Sequence, residues 1–125
     1  MSGLVKWLLL AGAAGFGAFG LLFAIAPETA ALVDIGLPSG TARADIRAIF
    51  GGMELGIAAF LVWASMDPVR YRSGAVAMSA VFGGMVIGRI AGLILDGEPT
   101  VITGALLAAE TVGLVVGLVA WRESR

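Results

Sequence analysis

The chain has 125 residues, of which 59% are hydrophobic and 14% charged, with a net charge of −1. A soluble domain carries nearer ~25% charged residues, and so apolar a chain is not disordered. The near-zero charge gives nucleic acid no electrostatic footprint. The absence of cysteine and histidine removes disulfides, thiolate metal sites and the commonest general base and transition-metal ligand.

Four apolar runs follow one another, each near the ~20 residues a helix needs to cross hydrocarbon. They predict an all-α, integral-membrane, four-helix antiparallel bundle forming one domain over residues 1–125. The expected helices cover residues 4–26, 42–66, 74–95 and 100–121. The first run follows Lys6, as in a signal peptide. It is longer than the usual ~7–15-residue apolar core of such a peptide, so it reads as a retained span. It is dense in small residues, which let helix backbones approach closely in lipid. Its stretch GFGAFG, residues 15–20, matches a dinucleotide fingerprint only in part and lies inside an apolar helix, so it carries no such meaning. Pro27 ends the run. A loop with Asp34, Pro38 and Gly40 follows, with a short turn expected over residues 29–33.

The second helix organises the chain. Thr41 is the expected N-cap, and Asp45 suits the positive end of the helix. Read at 100° per residue, Arg43, Arg47, Phe50 and Glu54 fall in a stripe roughly 60° wide. Charges at membrane depth are costly, so they face protein or a cavity and find partners. Asp67 and Pro68 end this helix. The third carries Gly84, Gly88 and Gly92 at intervals of four, an expected packing ridge. Arg89 lies beside that ridge, with Asp96 on the same face. A tight turn over residues 96–100 leads to the fourth helix, which carries Glu110 near its middle.

Lys6, Arg70, Arg72, Arg122 and Arg125 fall at the two termini and the loop between helices two and three. The other loops carry Glu28, Asp34, Asp96 and Glu98. Basic loops stay inside, so both termini are expected in the cytoplasm, in a multi-pass protein of the inner membrane. Trp7, Trp63, Tyr71 and Trp121 sit where interface anchors belong. A short echo joins FGGMELGIAAFL, residues 50–61, to FGGMVIGRIAGL, residues 82–93. An inverted repeat would produce such an echo, but glycine-rich membrane helices coincide easily, and chance or shared packing needs is the favoured reading.

At 1.5 Å per residue, Glu54 lies roughly 16 Å along its helix from Arg43, and Glu110 about 15 Å from Thr100. Arg47, Glu54, Arg89, Asp96 and Glu110 are therefore expected to converge in a pocket opening toward the outer face. Glu54 and Glu110 at its floor are the candidate acid–base catalysts. Arg43, Asp45, Arg47, Arg89 and Asp96 are the candidate ligand-binding residues, the arginines gripping an anionic or carbonyl group. The alternative is a self-satisfied ion network that holds four helices in register. No metal-ligand spacing, Walker, Rossmann or triad motif is present, and no metal or cofactor is expected.

Two stretches carry a resemblance. ARADIRAIFGGMELG, residues 42–56, and GRIAGLILDGEPT, residues 88–100, followed by Glu110, resemble a bacterial family of small four-helix membrane proteins catalogued as a domain of unknown function, DUF4345. The likeness covers nearly the whole chain. It implies the four-helix fold and marks Arg43, Asp45, Arg47, Glu54, Arg89, Asp96 and Glu110 as signature positions. It implies no activity.

The function expected from the residues is binding or conversion of a small lipophilic molecule with a polar head. The alternatives are a small proton-coupled transporter and a structural subunit of a membrane complex. Whether the protein is an enzyme stays open on the sequence. The expected partners are the bilayer, such a lipophilic molecule, and further copies of the chain through glycine-rich helix faces.

Overall fold

The computed structural model describes residues 2–97 and 99–125. Glu98, counted above among the acidic loop residues, lies outside the described residues. The described chain is all helix and turn, with no strand. Helix α1 covers Ser2–Ile25 and is followed by a 3-10 turn, Pro27–Val33. The second span is built in three pieces: α2 (Gly40–Ile46), a π-helical segment (Arg47–Met53) and α3 (Glu54–Ser65). A 3-10 turn, Pro68–Arg70, leads into α4 (Tyr71–Leu95), and α5 covers Val101–Glu123.

Among the described residues, four helical stretches are long and apolar enough to cross a membrane: Gly3–Ile25, Gly40–Ser65, Pro68–Leu95 and Val101–Glu123. Their outward surfaces carry large apolar side chains such as Ile25, Ile87, Ile94 and Val112, each more than half exposed. Lipid accepts such a surface and water does not.

Local chemistry sets the ends. Pro27 lacks an N–H and begins the 3-10 turn, which closes at Asp34 in the left-handed region, φ 61°. The cap of α2 is Ser39, whose hydroxyl accepts from the Ala42 N–H at 3.1 Å. This corrects the expectation for Thr41, which lies inside the first turn. Asp67 Oδ1 accepts from the Val69 N–H at 3.0 Å, ending the second span where expected. Thr100 caps α5 by accepting from the Thr103 N–H at 3.2 Å.

The main core gathers Val5, Leu9, Ala13 and Phe16 of α1 with Ala58, Leu61 and Ala64 of α3, Tyr71, Ala75 and Met78 of α4, and Ala120 of α5. The α1 residues recur at three- and four-residue intervals, one helix face. A smaller cluster joins Phe23, Ala30 and Ile46 under the loop that follows α1. Helix α1 approaches the π segment very closely at Gly51. A Cβ there would stand 2.9 Å from the Ala24 backbone, so only glycine fits. The expected ridge of Gly84, Gly88 and Gly92 makes no such contact: no neighbour lies within 4 Å of where their Cβ atoms would stand. The α4–α5 contact runs instead through Gly113, which receives the Phe82 ring, and Gly117, which lies against Ser79.

Candidate ligand-binding cavity

The site begins with the π segment. Its i→i+5 bonding widens one stretch of a helix that would otherwise keep a 3.6-residue period. The stripe drawn through Arg43, Arg47, Phe50 and Glu54 assumes that period throughout, and it splits here. Phe50 and Glu54 line a cavity of about 460 Å³. Arg47 reaches instead to the end of α1, donating from Nη1 to the Ala24 carbonyl and, at 3.4 Å, to the Ile25 carbonyl. Carbonyls at a helix C-terminus lack intrahelical donors and carry partial negative charge, so a guanidinium suits them.

Across the cavity, Arg89 of α4 grips Glu110 of α5. Arg89 Nε donates to Glu110 Oε2 at 2.7 Å, and Nη2 donates to Oε1. This is the bidentate fork that a guanidinium and a carboxylate favour. The Glu110 side chain is 5% exposed and that of Arg89 28%. A pair this enclosed neutralises itself, and both of its members line the cavity.

Glu54 is different. Its side chain makes no hydrogen bond or ion pair among the described residues, and its Oε2 is buried. Glu54 and Arg89, both expected in one pocket, both line the cavity, but the Arg89 fork is taken by Glu110.

The remaining walls are apolar. Five of the chain's six phenylalanines line the cavity: Phe16, Phe19 and Phe23 of α1, Phe50 of the π segment and Phe82 of α4. Phe16 and Phe82 have ring centroids 4.8 Å apart, and Phe23 meets Phe50 edge-on at 5.8 Å. The two echoing sequences thus place their leading phenylalanines, Phe50 and Phe82, on one cavity.

Of the five groups expected to converge, the structure brings three together: Glu54, Arg89 and Glu110. Arg47 caps α1. Asp96 is exposed just past the end of α4, where its N–H bonds the Gly92 carbonyl at 2.9 Å. The seven-residue spacing from Arg89 puts Asp96 on the right side of the helix but beyond the cavity. Arg43 and Asp45 are exposed on α2 and do not line it. The aromatic walls were not singled out from the sequence. Phe16, Phe19 and Phe23 at helical spacing were the available signal.

Over residues 4–121 the sequence matches the family described as a domain of unknown function, DUF4345. The chain belongs to that family. No curated protein and no solved structure matches it. In this DUF4345 chain the two stretches that carry the resemblance supply Glu54 and Arg89 to the cavity, and Glu110 joins them there.

Proposed function

We propose that this protein binds, or converts, a small lipophilic molecule with a polar head in the cavity between α1, the π segment, α4 and α5. One observation carries the reading: Glu54, an acid whose side chain has no partner among the described residues, lines an apolar cavity inside a helix long enough to span a membrane. An unpaired acid at that depth is costly in a purely structural network and useful in a site. The cavity's ~460 Å³ falls in the range of small-molecule sites, roughly 300–1,000 Å³. In this reading Glu54 is the group available to accept a proton or a hydrogen bond. Glu110, held by Arg89, keeps that arginine in place rather than exchanging protons itself.

The four spans form one antiparallel bundle in the inner membrane, with both termini in the cytoplasm. The gathering of basic residues at the termini and at the turn before α4 supports this orientation. A reporter fused after Arg125 should be active as a cytoplasmic enzyme; activity only in the periplasm contradicts it.

Native mass spectrometry of mildly extracted protein tests the binding. A copurifying small molecule should appear on the wild type and disappear on Phe82→Ala combined with Glu54→Gln. No adduct in any mild detergent, or the same adduct on both proteins, contradicts the reading.

A further inference from the structure

We infer that the cavity takes a hydrophobic amine, bound as its ammonium with Glu54 as counter-charge and the phenylalanines around its apolar body. This rests on the binding reading above and narrows it to one headgroup chemistry.

Three ionisable side chains line the cavity: Glu54, Arg89 and Glu110. Arg89 spends the edge of its guanidinium on both oxygens of Glu110. Of the other two arginines expected to grip an anion, Arg47 is engaged with the end of α1 and Arg43 does not line the cavity. An anionic headgroup would therefore find no unengaged cation in the walls, and it would face the Glu54 carboxylate. The sequence favoured an anionic or carbonyl head. The pairings observed reverse that preference: the charge of Arg89 is answered by Glu110 even though its Nη1 keeps N–H groups to donate, while the buried oxygen left without a partner among the described residues, Oε2 of Glu54, is an acceptor.

Glu54 calls for a donor, and both an alcohol and an ammonium can supply one. Two features select the ammonium. With Arg89 and Glu110 neutralising each other, the ionised cavity carries one surplus negative charge, and a charge inside a membrane is stabilised by pairing with its opposite. Five phenylalanines line the cavity, and the electronegative face of such a ring attracts a cation more than a neutral head. The rings also accommodate a flat or aromatic body. Among the described residues no second acid competes for the ammonium, since Glu110 is held by Arg89.

The test uses three molecules with one body and different heads: 4-phenylbutylamine, 4-phenylbutanol and 4-phenylbutyrate. The full chain is placed in phosphatidylcholine nanodiscs near neutral pH. Saturable binding is measured by equilibrium dialysis against empty discs. The amine should bind about tenfold or more tighter than the alcohol, a difference near 1.4 kcal/mol, and the butyrate should show no saturable binding. Glu54→Gln should bring the amine down to the alcohol's affinity and leave the alcohol nearly unchanged. Phe50→Ala should weaken both. Where a variant does not yield helical, monodisperse protein, the rank order on the wild type decides alone. Butyrate binding as tightly as the amine, or an amine preference that survives Glu54→Gln, overturns the headgroup inference while leaving a binding cavity. Absence of saturable binding for all three overturns the binding reading as well.

Discussion

The Arg89–Glu110 pair gives the sharpest prediction, because its two members differ in burial. Arg89→Met leaves the Glu110 carboxylate, 5% exposed, without the donors that hold it among the described residues. Breaking a buried pair from one side typically costs about 3–5 kcal/mol, because the survivor stays buried and charged. Glu110→Met leaves Arg89, which is 28% exposed and borders the cavity. Its long side chain can turn toward the cavity and Glu54, so the loss should be smaller, about 1–3 kcal/mol. The double variant Arg89→Met with Glu110→Met removes both charges and leaves two flexible apolar side chains of suitable length. Replacing a buried pair in this way is often neutral or stabilising, so the double variant should lie within about 1 kcal/mol of the wild type, well above Arg89→Met alone. The assay is reversible unfolding of the detergent-solubilised protein, followed by circular dichroism with sodium dodecyl sulfate as denaturant. A coupling energy of about 1.5 kcal/mol or more is expected for residues in direct contact. Additive single effects, or Glu110→Met costing more than Arg89→Met, would refute the argument.

Three further variants probe the frame around the site. Gly51→Leu should destabilise the fold severely, because its Cβ would meet the Ala24 backbone at 2.9 Å; Gly88→Leu, which meets no neighbour within 4 Å, should shift stability by no more than about 0.5 kcal/mol in monomeric protein. Equal thermal shifts for the two would contradict the packing described. Arg47→Ala should cost about 1 kcal/mol by uncapping α1, with Arg47→Lys recovering part of it; an unchanged melting temperature for Arg47→Ala would show that the contact contributes nothing. Ser39→Ala should lower stability by about 1 kcal/mol, the worth of an N-cap, whereas Thr41→Ala should have little effect, and the reverse ranking would return the cap to Thr41.

Much of the frame is local physics and is therefore legible in the chain itself. Hydropathy and length are properties of consecutive residues, and they mark four spans to within a few residues at each end. Pro27 and Asp67-Pro68 stop helices through their own backbone chemistry, so those ends lie where expected. Arg89, Glu54 and Glu110 stand out because a charge in an apolar run is expensive anywhere in a bilayer.

Pairing is another matter, since it depends on helix rotation and on which helices touch. A 3.6-residue period carried through residues 43–54 put Arg47 and Glu54 together. The π segment breaks that period, and nothing in its composition announces it. A short turn joins α3 and α4, but it does not decide the partner of Arg89. In the fold α4 packs most extensively against α5, which brings Glu110 to it. The glycines show the same division. Small residues at intervals of four mark a face able to pack, and only the rotation of α4 decides that Gly113 and Gly117 are covered while Gly84 and Gly88 look outward. The sequence by itself thus determined an all-helical chain with four apolar spans and a few costly charges inside them. The tertiary structure decided which of those charges finds no side-chain partner among the described residues: Glu54, beside rings from three separate segments that only packing brings together.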